Sequence, residues 1–418
     1  MEIKARRLVF FMCLALLIHI PVFAMTEIRV LDFRTSSEWQ EFYAKWAAEE
    51  FAKSRPGVKV TYEFQAFGAA REKLLVSLAA GVPPNVMRVS SVWAGEFIGS
   101  GILEPWTAQD LADIDLRTTI PYALQQATSK GVIYGLPIAI DAINIFYNRQ
   151  IFEQSGLNSA PEAIRNWDDL RSYAAKMTQR DSQGQTTQYG FVTRPHYQNL
   201  MAFLVSNNSN FLNEDETEAV FNTQAGFEAV EFMSHLMTTY GHRARTMGSD
   251  LFVAGKSAMH VQSVQTGPTF KTQNPGLDFG VTSIPVGPRG SQRGSVVWAH
   301  FYSVPQGASD QDLAKEFVKF MHSLPVQAEA LGQIGVLESP RMDITKTAEF
   351  AAMRRENPWA EYIPNIFSVA KPDLTTDRLQ DITRIVTARI YPALLGEAPL
   401  SLSVLDDIAR QINVVLQQ

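Results

Sequence analysis

Cysteine is nearly absent: the one cysteine among 418 residues is Cys13. It lies inside an N-terminal stretch where Lys4, Arg6 and Arg7 precede an apolar run, Leu8 to Ile20, of about 13 residues. Pro21 breaks that run and Val22-Phe23-Ala24 supplies small residues for cleavage, so residues 1–24 read as a secretory signal peptide, too short in its apolar part to span a bilayer well. Met12 before Cys13 is not the small residue that lipidation requires, so a soluble exported protein starting near Met25 is expected. Such a chain has no thiol, which excludes disulfides, cysteine nucleophiles and cysteine metal ligands. Histidine is also sparse, with seven residues at no metal-ligand spacing, and His19 falls in the leader. No H-E-x-x-H, G-x-S-x-G or G-x-G-x-x-G occurs, and Gly255-Lys256-Ser257 lacks the glycine five residues earlier that a phosphate loop needs, because position 250 is Asp. Neither a metal nor a cofactor is expected. Positive charge is lacking too: the net charge is −6 and becomes more negative once the leader is lost, which argues against nucleic acid as a partner. No internal repeat or low-complexity segment is visible.

What remains is a chain long enough for about two domains. Thr26 to Asp32 reads as a strand, Ser36 to Lys53 as a helix with Trp39, Phe42, Tyr43 and Trp46 on one face, and Val58 to Phe64 as a second strand. A helix from about Ala69 to Ala80 and a strand from Val86 to Val89 complete a β-α-β-α-β order, which predicts a parallel sheet with helices on both faces. Ligands of such sheets bind beyond the carboxyl ends of the strands, which singles out the loops Phe33 to Glu38 and Ser90 to Trp93. The stretch Gly131 to Asn148 is apolar on both sides of the pleat, as in an element buried on two faces, with Asp141 as its anomaly. A carboxylate there is either a neutralised core residue or one facing a cleft.

Further along, Asn166 to Leu170 starts a helix, Phe227 to Tyr240 repeats apolar residues at helical spacing, and Pro285 to Gly294, with Arg289 and Arg293, reads as a surface hairpin. Val296 to Val304 is a strand, and a helix follows Asp310 as its N-cap.

Gly131-Val-Ile-Tyr-Gly-Leu-Pro137 followed by Ile145-Phe-Tyr-Asn148 resembles the family of extracellular sugar-binding proteins of ABC importers. The resemblance extends through Pro56-Gly57-Val58-Lys59-Val60, Leu78-Ala79-Ala80-Gly81, Gly101 to Pro105, Asn166-Trp167-Asp168-Asp169-Leu170, Phe252 to Met259 and Gly335 to Arg341, in the family's order over nearly the whole mature chain. Asn85 departs from it, standing where aspartate is usual. The resemblance implies an α/β fold of two Rossmann-like lobes joined by a three-segment hinge, the type II periplasmic binding protein fold. One lobe would hold 25–138 with 285–325 returning to it, and the other 139–284 with 326–418. It implies a monomeric, periplasmic, non-enzymatic protein that binds a sugar between the lobes and delivers it to the membrane subunits of an importer.

On that resemblance Asp141 faces the sugar from the first crossing, and Gln262, Ser263 and Gln265 lie near ligand. Sugar rings present CH faces to aromatic side chains and hydroxyl rims to carboxylates, amides and guanidinium groups. The candidate stackers are Trp93, Trp298, Tyr197 and Trp359, and the polar candidates Arg34, Glu38, Ser91, Asp141, Asn144, Asn208, Gln262 and Arg341. Trp106 and Trp167 read as packing residues. Two other readings stay open. Arg34, Arg88, Arg194 and Arg341 suit an anionic solute such as a glycerol phosphodiester, and Asp32 or Glu38 with Asp141 is the pair a secreted glycoside hydrolase would use.

Overall fold

The computed structural model describes residues 25–34, 36–335 and 337–418. The leader and Cys13 lie outside them.

Eight strands form one mixed sheet: β1 (Thr26–Asp32), β2 (Val58–Phe64), β3 (Val86–Ser90), β4 (Leu136–Asn148), β5 (Met259–Ser263), β6 (Phe279–Thr282), β7 (Ser295–Ser303) and β8 (Ala370–Pro372). Its order is β6-β4-β7-β3-β1-β2, with β5 added beside β4 and β8 beside β7. The β-α-β-α-β start closes as expected: β1 runs parallel to both β2 and β3. β7 then enters antiparallel to β3, placing His300 opposite Ser90, and β4 lies antiparallel to β7, placing Asp141 opposite Trp298.

All 13 residues of β4 and all nine of β7 are buried. Their apolar, partly β-branched sequences suit strands covered on both faces. β4 changes partners along its length. Leu136 to Ala142 pair with β7, whereas Ile143 to Asn148 pair with β5 and β6. Pro137, which has no N–H for the ladder, sits where the register with β7 shifts between His300 and Phe301.

Four details differ from the sequence reading. The first helix is three consecutive pieces, Ser37–Glu41, Phe42–Ala47 and Ala48–Lys53, the middle one with π geometry. Residues after β3 form no loop, because a helix, Ser91–Gly99, starts at once and carries the Trp93 indole into the core. Arg293 is no surface residue of its hairpin. It is partly buried and donates to Thr282 and Ser283 and to the Ile164 carbonyl, tying that turn to the sheet.

Asp310 does precede the helix Gln311–His322, but in a left-handed conformation that leaves its side chain without a capping bond.

Candidate functional site

A cleft of about 700 Å³ opens beyond the strand ends. Its first wall comes from one face of the sheet. Arg88 and Ser90 of β3 alternate with residues on the other face, as do Trp298 and His300 of β7, and the pairing of His300 with Ser90 brings the two sets side by side. Phe33 and Arg34, just past the carboxyl end of β1, complete it.

The Phe33 ring meets the Arg88 guanidinium at 4.8 Å and the His300 imidazole at 5.3 Å, while Arg34 lies 4.2 Å over Trp39. Both arginines are paired behind the surface. Arg34 bonds Glu338 through Nη2 and donates from Nη1 to Gln265 Oε1 at 2.9 Å. Arg88 Nη1 lies 3.4 Å from Asp32 Oδ1, and Tyr302 donates to the other oxygen of that carboxylate at 2.6 Å. Arg88 is fully buried, yet among the described residues its Nε and Nη2 have no partner, and neither has His300 Nδ1. Burial, then the charges of Arg88 and Arg34, hold the His300 pKa well below the usual histidine range. The ring is therefore neutral.

The opposite wall has a different origin. Tyr189 and Val192 bridge to Ser257 and to His260, running the chain alongside β5 as far as Arg194, His196, Tyr197 and Gln198. Gln262 and Ser263 at the end of β5, Met247, residues of the segment from Gln265 to Thr272, Gln333 and Ile334, and the start of the helix Leu379–Leu394 line the cleft as well. Tyr197 Oη and Gln198 Nε2 both donate to Asp373, at 2.9 and 2.6 Å. Burial raises the Asp373 carboxyl to about 6, and burial followed by the Arg194 charge lowers His196 to about 3.

Of the residues proposed from sequence, Arg34, Glu38, Tyr197, Gln262 and Trp298 line the cleft. Asp141 stands one layer beneath it, 1% exposed, with Gln265 Nε2 and the Gln265 and Ala142 N–H groups on its carboxylate. Gln265 itself lines the cleft, so Asp141 acts on that surface through the amide it orients. Burial and then the Glu338 charge raise the Asp141 pKa to about 7, and among the described residues no lysine or arginine pairs with it.

The structure keeps the other six proposed residues off the cleft surface. Trp93 packs on Phe33, Phe67 and Phe97 because its helix begins two residues earlier. Ser91 is buried in that same first turn. Asn144 is fully buried on β4, and among the described residues neither of its side-chain polar atoms has a partner. Asn208 is exposed at a left-handed turn elsewhere. Trp359 fills the space over Gly267, where a Cβ would come within 2.2 Å of its ring, and packs on Phe146 and Phe279. Arg341 is held by Asp343 and Thr118.

Sequence reasoning passed over Phe67, His196, Gln198 and His300 as site residues. His300 had a usable signal, since it lies two residues from Trp298 on a strand and so shares its face. The others had none.

Glu38 is the one carboxylate among the described lining residues, and it sits at the exposed rim, bonded to Ser36. Hydrolysis of a glycosidic bond by two flanking carboxyl groups therefore finds no second acid on this surface.

The chain is 26% identical over 364 residues to a putative binding protein of Brucella abortus, covering 81% of this chain and 84% of that one. The solved structure of an ABC transporter solute-binding protein of Thermotoga lettingae, bound with α-D-tagatose, superposes with a TM-score of 0.79 at 22% identity over 94% of this chain and all of the other. A Listeria monocytogenes ABC substrate-binding protein in complex with cycloalternan gives 0.80 at 19% identity, over 94% and 99%. These likenesses match the two-lobe periplasmic binding protein fold. Residues 36–328 match the family described as bacterial extracellular solute-binding protein, and the chain belongs to that family of binding proteins rather than enzymes.

Proposed function

We propose that this protein captures a mono- or oligosaccharide in the cleft and hands it to the membrane subunits of an ABC importer, working as a monomer in the periplasm. The observation that carries this reading is the make-up of the cleft surface. Aromatic faces from Trp298, Phe33, Phe67 and Trp39 share about 700 Å³ with the amides of Gln198, Gln262 and Gln265 and the guanidinium of Arg34. Such a surface offers rings for CH faces and donors and acceptors for hydroxyl rims.

The sugar-bound relatives in Thermotoga and Listeria support it. The lobes are read as 25–138 with 285–325, and 139–284 with 326–418, which puts β4 in the crossing between them. A ligand touching both walls would stabilise a closed form by its differential contacts, and the importer would read that form.

A thermal-shift screen against a carbohydrate panel tests the reading. A sugar at 100 times its dissociation constant should add about 2.7 kcal/mol of stability. Trp298→Ala should then weaken calorimetric binding of that sugar about tenfold or more, or about 1.4 kcal/mol. Unchanged affinity in Trp298→Ala, or binding of non-sugar solutes alone, would overturn it.

A further inference from the structure

Three arginines face the cleft, and they are not equivalent. Arg34 is neutralised by Glu338 and Arg88 by Asp32. Arg194 is partly buried, and among the described residues its guanidinium makes no hydrogen bond and no ion pair. Asp373, an acid behind the same wall, is committed to Tyr197 and Gln198.

A guanidinium that has lost part of its hydration and gained no counter-charge is unfavourable unless something binds there. Its surroundings favour the same sign of ligand. Leu379, Gln380 and Thr383, from the first half of the 16-residue helix Leu379–Leu394, also line the cleft, so the positive half of a helix dipole borders it. Asp381, in the same turn, is not a lining residue and pairs with Arg384 at 2.9 Å. On the facing wall, the unpartnered Nε and Nη2 of the fully buried Arg88 are further donors without an acceptor. The Arg194 guanidinium and these two Arg88 nitrogens are therefore N–H donors that Glu338, Asp32 and Asp373 leave unused.

We infer that the ligand carries an anionic group, a carboxylate or phosphate, and that Arg194 is the residue that receives it. Resting on the carbohydrate reading above, this makes the ligand an acidic sugar, either a uronate or a sugar phosphate. A planar guanidinium meets a carboxylate or phosphate through two parallel charge-assisted bonds, which a neutral hydroxyl cannot reproduce. The aromatic and amide surfaces are left for the uncharged part of the sugar.

The test is calorimetry with matched probes: D-glucose and D-galactose, their uronates, their 6-phosphates, glycerol 3-phosphate and inorganic phosphate, against the wild-type protein, Arg194→Gln and Arg194→Lys. At least one acidic sugar should bind about ten- to a hundredfold more tightly than its neutral parent. Arg194→Gln should erase that preference, bringing the affinity for the acidic sugar down to about that of its neutral parent. Arg194→Lys, which keeps the charge without the fork, should retain part of it. If neutral sugars bind and no acidic probe is preferred, the anion inference falls and the carbohydrate reading stands. Should glycerol 3-phosphate or inorganic phosphate bind through Arg194 while no sugar does, the inference stands and the carbohydrate reading falls. Any outcome in which no acidic probe outbinds its neutral counterpart, or in which Arg194→Gln weakens both equally, overturns the assignment.

Discussion

Arg34 and Arg194 look into the same cleft from opposite walls, under opposite conditions. Arg34 is 6% exposed, stacked on Trp39, bonded to Glu338 and linked through Gln265 to Asp141, so both terminal nitrogens donate within the fold and only its Nε has no partner among the described residues. Arg194 is more open, and although Thr193 and Asn199 donate to its backbone carbonyl, its guanidinium is bonded to no other side chain among the described residues. The contrast separates two uses of one residue type. A deeply buried ion pair is interdependent, and removing one member strands the other. A cation left unpaired on a wall costs the empty protein something and is compensated only by a partner from outside.

The largest expected effect breaks the first half of that comparison. Glu338→Gln leaves Arg34 charged, buried and without its carboxylate, and should lower the stability of the ligand-free protein by about 3 to 5 kcal/mol in urea denaturation. A loss under about 1 kcal/mol would mean that Gln265 and the Trp39 face hold Arg34 on their own, and the distinction between the walls would fade.

The next effect sharpens it through pH. Burial lifts the Asp141 carboxyl to about 7 in the folded protein, against an ordinary value of 3.8. Between those values the folded state binds more protons than the unfolded one, so stability must fall as pH rises. The contribution is fully present below about pH 4 and lost as pH climbs through 7, a change on the order of 2 to 4 kcal/mol. Asp373, raised to about 6, acts in the same direction over the lower part of that window. Asp141→Asn should flatten the slope between pH 5 and pH 8 and leave the mutant more stable than wild type at pH 8. Its effect on sugar affinity should be modest, since the asparagine oxygen can still hold the Gln265 amide that faces the cleft. An unchanged slope would show that Asp141 stays ionised, with the Gln265 and Ala142 N–H groups enough to hold it so.

The strands were legible because their signals are local. The apolar runs of β4 and β7 and the alternation of β1 with its helices predict a buried parallel start whatever lies far away in sequence. The cleft was legible only in part. Trp298 lies on a strand, where period two fixes its face, and it lines the cleft. Trp93 was placed in a loop, and a helix beginning at Ser91 turned it into the core. The pairing of Arg34 with Glu338 joins residues 304 apart, and the bond from the Tyr197 N–H to Tyr391 Oη, which ties the opposite wall to the Leu379–Leu394 helix, joins residues 194 apart. Neither contact leaves a trace in spacing, because each depends on how separately formed elements pack.

The smallest expected effect is the one that isolates Arg194. Because its guanidinium bonds to nothing in the described fold, Arg194→Gln strands no partner and should change ligand-free stability by no more than about 0.5 kcal/mol. Its consequence should appear only when an acidic sugar is added. At a concentration 100 times the wild-type dissociation constant, the wild-type protein gains about 2.7 kcal/mol. A mutant binding tenfold more weakly gains about 1.4, and one binding a hundredfold more weakly about 0.4. Paired urea titrations with and without the acidic sugar read both quantities on the same samples. Should Arg194→Gln instead lose several kcal/mol without ligand, Arg194 is a structural residue like Arg34, and the two walls differ in exposure alone.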